Sequence, residues 1–128
     1  MRTVSDIMNP VVCTIPRDTL ICEVEGILVA KQISGAPLVD AAGKVVGIIS
    51  KSDIVRFDFT GGNATEAAAW EIASPSAVTV TPCCTLKAAA QIMLDKHIHR
   101  LLVARDGELL GLVSALDFVA LVAQGKVQ

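Results

Sequence analysis

Aromatic side chains are scarce in this sequence: three phenylalanines, one tryptophan and no tyrosine, 3% of 128 residues. Hydrophobic residues still make up 52%, so the core must be aliphatic, built from Val, Ile, Leu and Ala. That composition favours an α/β protein with well-buried strands. Positive charge is not in excess either. A net charge of −2 with the signs mixed throughout leaves no basic stripe, and no direct nucleic-acid binding is expected. No apolar run reaches the roughly 18 residues of a membrane span, and Met1–Asp6 leads into a polar turn without a secretory h-region. A cytoplasmic chain without membrane contact is expected. Its cysteines, Cys13, Cys22, Cys83 and Cys84, are then reduced thiols. None forms a Cys-x-x-Cys pair, Cys83-Cys84 alone is a poor zinc chelator, and His97 and His99 lie elsewhere, so no metal site and no cofactor are expected. A nucleophile, base and orienter set is also missing, which argues against an enzyme and leaves no catalytic residue to name.

What is present is a duplication. Gly47-Ile48-Ile49-Ser50-Lys51-Ser52-Asp53 returns as Gly111-Leu112-Val113-Ser114-Ala115-Leu116-Asp117, 64 positions later. At an offset of 65, Ile7 falls on Ile72, Pro10 on Pro75, Thr14 on Thr79, Ile27 on Ile92, Lys31 on Lys96 and Ile33 on Ile98. From Gly43 onward the offset is 64, so one residue is missing from the second copy of a turn, where indels are tolerated. The chain suits one compact core, and each half, of roughly 55 residues, is marginal alone. In each motif two aliphatic residues suit a buried strand. Ser-x-x-Asp then suits a helix start, with the serine as N-cap and the acid at the positive end of the dipole. The same turn, with its hydroxyl, exposed N–H groups and carboxylate, suits phosphate and ribose hydroxyls.

In order, Ser5–Pro10 reads as a helical turn stopped by proline, Val11–Ile15 as a strand, and Leu20–Gln32 as a helix capped by Asp18 or Thr19. Gly26 inside it lowers helix propensity and points to close packing. Ser34–Asp40 is a second strand, with Pro37 suited to its first residues or to an edge. Ala41–Lys44 makes a hairpin loop, Val45–Ile49 its partner strand and Ser50–Phe57 a helix. A linker of about residues 58–70 follows repeat 1 (about 4–58). Thr65–Ile72 reads as a helix whose Trp70 closes the gap between repeats or, as the alternative, stands exposed as an interface anchor. Repeat 2 (about 71–122) runs through a strand at 77–81, a helix at 86–96, strands at 99–104 and 108–113, and a helix from Ser114 to about Ala123. Each repeat is β-α-β-β-α.

Taken together, a Thr in the first strand, an Ile-Ser-Gly-Ala-Pro-Leu-Val-Asp-like second strand and a Gly-h-h-Ser-x-x-Asp close, twice over, resemble a cystathionine-β-synthase (CBS) domain pair, or Bateman module. The resemblance covers about residues 4–122. It implies tandem α/β (α+β) repeats with pseudo-twofold packing of two small sheets, and often a flat homodimer. It also implies adenosine-containing ligands (AMP, ADP, ATP or S-adenosylmethionine) in clefts between the repeats, and a regulatory, non-catalytic role. Carried over by residue, one cleft joins Asp117 and Ser114 with Thr14 and Ser34-Gly35-Ala36-Pro37. The other joins Asp53 and Ser50 with Thr79 and His99-Arg100-Leu101. The aspartates would take ribose hydroxyls, the serines and helix starts phosphate, and Arg100 would add the phosphate charge. Leu102 stands where the first repeat has Pro37, so that strand is expected to begin differently. With no aromatic platform, adenine would lie between aliphatic side chains and read backbone groups.

Two classes of function follow. One is a sensor that signals ligand occupancy to an unknown regulated protein. The other is a structural dimerisation module with unoccupied clefts. Homodimerisation is expected in either case, because Leu116, Phe118, Val119, Leu121 and Val122 cannot all face one small core.

Overall fold

Two stretches of buried strand set the architecture, and in a computed structural model that describes residues 2–11, 13–75 and 78–125 they sit at the centre of two separate sheets. The first half of the chain gives β2 (Ile15–Pro16), α1 (Ile21–Lys31), β3 (Gly35–Val39), β4 (Val45–Ser50) and α2 (Lys51–Phe59). These follow β1 (Asn9–Pro10). The second half gives β5 (Ser74–Pro75), β6 (Thr79–Val80), α3 (Leu86–Lys96), β7 (Arg100–Arg105), β8 (Glu108–Ser114) and α4 (Ala115–Ala123). The fold is the expected mixed α/β repeat with small sheets. The sheets are four-stranded, where three strands per repeat were expected, and their order is β2-β3-β4-β5 and β1-β8-β7-β6. In each, the outer parallel strand is joined to antiparallel neighbours.

The fourth strand of each sheet comes from outside its repeat. The chain forms one unit from residues 12–76 and another from residues 1–11 with 77–128. In the first unit β5, at the start of the second repeat, pairs with β4. In the other, β1, at the start of the first repeat, pairs with β8, Asn9 against Leu112 and Pro10 against Gly111. The buried side chains form one aliphatic cluster per unit. The first includes Ile15, Ile21, Val24, Leu28, Leu38 and Ile49. The second includes Val4, Ala89, Met93, Leu101, Val103 and Val113.

Several expectations change. The strand placed at 11–15 shrinks to Ile15–Pro16, and the one at 77–81 to Thr79–Val80; Val12, Ser76 and Ala77 lie outside the described residues, as do 126–128 of the polar tail. The helix expected over Thr65–Ile72 is turns and a short 3-10 turn at Ala69–Glu71. Local alanine content favoured a helix, but tertiary hydrogen bonds take the backbone instead. The Ala64 and Ala67 carbonyls accept from Cys22 and Ile21, and the Ala69 and Trp70 N–H groups donate to Thr19 and Arg17. Those bonds also cap α1. Neither Asp18 nor Thr19 caps it; Leu20 holds the N-cap position without a side-chain bond, because the free N–H groups of the first turn already have partners. Trp70 does not fill a gap: it is 49% exposed, with the Arg17 guanidinium 5.2 Å from its ring centroid. Gly26 is not a close-packing site either, since a Cβ there would meet nothing within 4 Å.

Pro37 sits inside a central strand. Neighbouring bonds explain the tolerance: Ser34 O accepts from Lys51 on the α2 side and Val39 O accepts from Arg17 on the β2 side, so by alternation Pro37 faces β2. There the parallel ladder begins only at Leu38. Its counterpart Leu102 has an N–H, and uses it to donate to Val78 O at 3.1 Å. The differing start of the second strand is therefore one added hydrogen bond.

Candidate functional site

Each Ser-x-x-Asp turn closes a strand and opens a nine-residue helix. At Ser50 the hydroxyl accepts from the Asp53 N–H at 3.3 Å, while Asp53 Oδ2 accepts from the Ser50 N–H and hydroxyl, both at 2.9 Å. At Ser114 the hydroxyl accepts from the Asp117 N–H at 3.3 Å and Asp117 Oδ2 accepts from the Ser114 N–H at 2.7 Å. Both turns are capping boxes. In each, Oδ2 serves the cap and Oδ1 is directed onward.

What Oδ1 meets differs between the two turns. Asp53 is 4% exposed, and its Oδ1 lies 3.5 Å from Nη2 of exposed Arg56. Asp117 is half-buried, and its Oδ1 lies 3.5 Å from Asn9 Nδ2, which also lies 3.4 Å from Oδ2. Reasoning from the sequence misses both partners. The Arg56 contact is legible in the i,i+3 spacing; the Asn9 contact spans 108 positions and depends on β1 crossing to β8.

The other expected residues divide between the units. In the unit of residues 12–76, exposed Thr14 precedes β2. Gly35 pairs with Ser50, and Ser34 O accepts the Lys51 N–H at 2.8 Å, so the Ser34-Gly35 stretch lies against the first turn of α2. Ala36 and Pro37 are buried, so their part in any ligand contact falls to backbone groups. In the other unit, exposed Thr79 opens β6. Half-buried Arg100 pairs with Ser114, and the exposed His99 accepts the Ala115 N–H on its carbonyl at 2.8 Å. Leu101 is a core side chain, so only its backbone can reach a ligand. Within its own unit, each Ser-x-x-Asp turn thus meets the strand entry of its own repeat, whereas each site implied by the resemblance takes residues from both units.

Two open hollows lie beside this set. One, about 870 Å³, runs along α2 past Lys51, Val55 and Phe59. The other, about 450 Å³, lies over α3 and α4 and is bordered by Met93, His97, His99 and Phe118. Among the described residues, no group of three or more His, Cys, Asp or Glu is placed to hold a metal ion, and no helix is long and apolar enough to cross a membrane.

Comparison with known proteins agrees with this geometry. The CBS domain family matches residues 4–59 and 69–124, so the chain belongs to the CBS domain family and carries two copies of the domain. It is similar to the crystal structure of CBSX2 in complex with AMP, at 27% identity and a TM-score of 0.69, covering 99% of this chain and 100% of that one. It is also similar to the CBS domain pair of protein MJ0100 in complex with 5′-methylthioadenosine and S-adenosyl-L-methionine: 26% identity, TM-score 0.77, covering 98% and 99%. Among sequence relatives, the uncharacterized protein MJ1225 of Methanocaldococcus jannaschii is 26% identical over 119 residues, 93% of this chain. The chain spans 42% of that protein's length, and about a quarter of two archaeal homoserine O-acetyltransferases that it also matches.

Proposed function

We propose that this chain is a non-catalytic regulatory module that binds an adenosine-containing ligand, AMP, ADP, ATP or S-adenosylmethionine, and works in the cytoplasm on a separate target protein. What supports the reading is the pair of solved relatives, CBSX2 with AMP and MJ0100 with two adenosine derivatives, each at more than a quarter identity over nearly the whole chain. The duplicated turn supplies the chemistry. Asp53 and Asp117 take ribose hydroxyls, since a carboxylate oxygen in a cap keeps lone pairs for further donors. Ser50, Ser114 and the helix starts favour phosphate, with Arg100 adding charge. Thr14, Thr79, Ser34–Pro37 and His99–Leu101 line the ligand, mostly through backbone groups. A signal requires that the ligand bind two arrangements of the chain with different affinity.

Homodimerisation belongs to the same proposal. No residue of α4 is fully buried; Leu116, Val119 and Val122 are 76%, 58% and 63% exposed, and Val55 and Phe59 are exposed on the equivalent helix α2. These apolar faces also favour the second reading, a module used for assembly alone. A thermal-shift panel of AMP, ADP, ATP, S-adenosylmethionine and NAD separates the two. A ligand at 100 times its dissociation constant adds about 2.7 kcal/mol of stability; no shift with any of them leaves assembly as the function.

A further inference from the structure

We propose that Cys83 and Cys84 form a dithiol site for a thiophilic, three-coordinate centre of the trivalent arsenical class, and that loading it is felt by the N-terminal segment. The turn before α3 and the turn before α1 are counterparts in the duplication. Each carries the carbonyl from which an incoming segment hangs: Cys84 O accepts the Val4 N–H at 2.8 Å, and Thr19 O accepts the Ala69 N–H at 2.8 Å. Where one turn has Asp18-Thr19, the other has two adjacent thiols. The backbone task is thus met without sulfur, which leaves the thiols for another.

Their setting suits paired coordination. Cys83 is exposed and Cys84 half-buried. The Thr81 hydroxyl lies 3.3 Å from Cys83 Sγ, and Cys84 Sγ donates to Thr85 O at 3.6 Å. Burial, and then the charge of Cys83, push the Cys84 thiol above its ordinary range. Cys84 is therefore held toward its protonated thiol form, a slow nucleophile, which fits a reagent that removes the thiol proton itself. An organic arsenic(III) oxide does so. Two As–S bonds form, the arsenic–oxygen bond breaks, and the oxygen leaves as water with the two thiol protons; nothing is oxidised or reduced. Thiolates prefer such soft centres, and a pyramidal arsenic needs only two of them beside its own carbon. Zinc would need four ligands, and among the described residues no such group is assembled.

The N-terminal segment is clamped to this turn. Besides the Val4 bond, Pro82 O accepts the Ser5 N–H at 3.3 Å and Arg2 O accepts the Leu86 N–H at 3.2 Å. A ring closed across the Cys83–Cys84 peptide turns the Cys84 carbonyl and loosens that clamp.

Phenylarsine oxide, one equivalent on the full chain, is the probe. Intact mass is expected to show one phenylarsenic group per chain that survives excess monothiol and is released by a dithiol. Cys83→Ser, an exposed position, lowers retention by about a hundredfold, as loss of the second tether should, while Cys13→Ser/Cys22→Ser retains the adduct. In the adduct, amide exchange at Val4 and Ser5 rises about tenfold. Equal retention by Cys83→Ser, loss of the adduct in Cys13→Ser/Cys22→Ser, or unchanged exchange at Val4 and Ser5 overturns the proposal.

Discussion

The Val4 N–H donates to the Cys84 carbonyl at 2.8 Å, and 65 positions later the Ala69 N–H repeats the bond to Thr19 at the same distance. Flanking bonds repeat as well. Arg2 O and Ala67 O accept from the first N–H of α3 and α1, and Thr3–Thr85 and Ala68–Leu20 are matching bridges. Each helix start is thus capped by chain that precedes the other repeat, which ties the marginal repeats to one another.

The crossing strands rest on two glycines. A Cβ on Gly111 would stand 2.9 Å from Asn9 O and 2.7 Å from Met8 Sδ, and one on Gly47 2.6 Å from Ser74 O. Gly111→Ala and Gly47→Ala should each cost about 1–3 kcal/mol through overpacking, read as a lower urea midpoint. In Gly111→Ala, proteolytic cleavage should also move to residues 2–10. An unchanged midpoint in both variants contradicts the strand exchange.

Gly26 should behave oppositely. It is exposed in the middle of α1 with open space where a Cβ would stand. Gly26→Ala is expected to raise stability by about 0.5–1 kcal/mol, measured by chemical denaturation. A loss of stability would mean that the position contacts something the isolated chain does not show.

Much of this was legible because duplication makes each half a check on the other. Matching Ile, Gly, Ser and Asp positions gave the repeat, the helices at 21–31 and 86–96 and both capping turns. What failed depended on chain from elsewhere. Thr65–Ile72 has helical composition, yet its backbone groups serve α1. Pro37 looked like an edge residue because the sequence does not reveal that β2 starts one residue too late to need its N–H. Asn9 was invisible as a neighbour of Asp117 for the same reason: only the crossing of β1 brings them together. The Ser-x-x-Asp turns were readable as caps from spacing alone, whereas their ligand role rested on resemblance.

The two aspartates should differ in what they hold. Asp53 is 4% exposed and accepts from Ser50 through both N–H and hydroxyl. Asp53→Ala removes the carboxylate that accepts from both donors in a buried setting, a cost of about 1–3 kcal/mol. Asp117 is half-buried, with water able to replace it at the Ser114 N–H, so Asp117→Ala should cost about 1 kcal/mol less. Denaturation of the two variants under identical conditions decides; equal losses contradict the difference in burial.

The exposed faces of α4 and α2 predict self-association. Val119→Glu places a charge at a position 58% exposed in the chain alone, so it should leave the fold intact. It should also move sedimentation at tens of micromolar from dimer to monomer, a range of roughly 6–7 kcal/mol of association free energy. A parent protein that is already monomeric there removes the claim.

The central claim is that the chain binds adenosine-containing ligands through its duplicated turns, with Arg100 holding phosphate. Titration calorimetry of AMP and adenosine into the parent and Arg100→Ala tests it most directly. A charged hydrogen bond to phosphate is worth roughly 1.5–3 kcal/mol, so Arg100→Ala should weaken AMP by about tenfold or more and leave adenosine nearly unchanged. Equal losses for both ligands would assign Arg100 to the fold, and no heat from the parent at millimolar AMP would contradict the account as a whole.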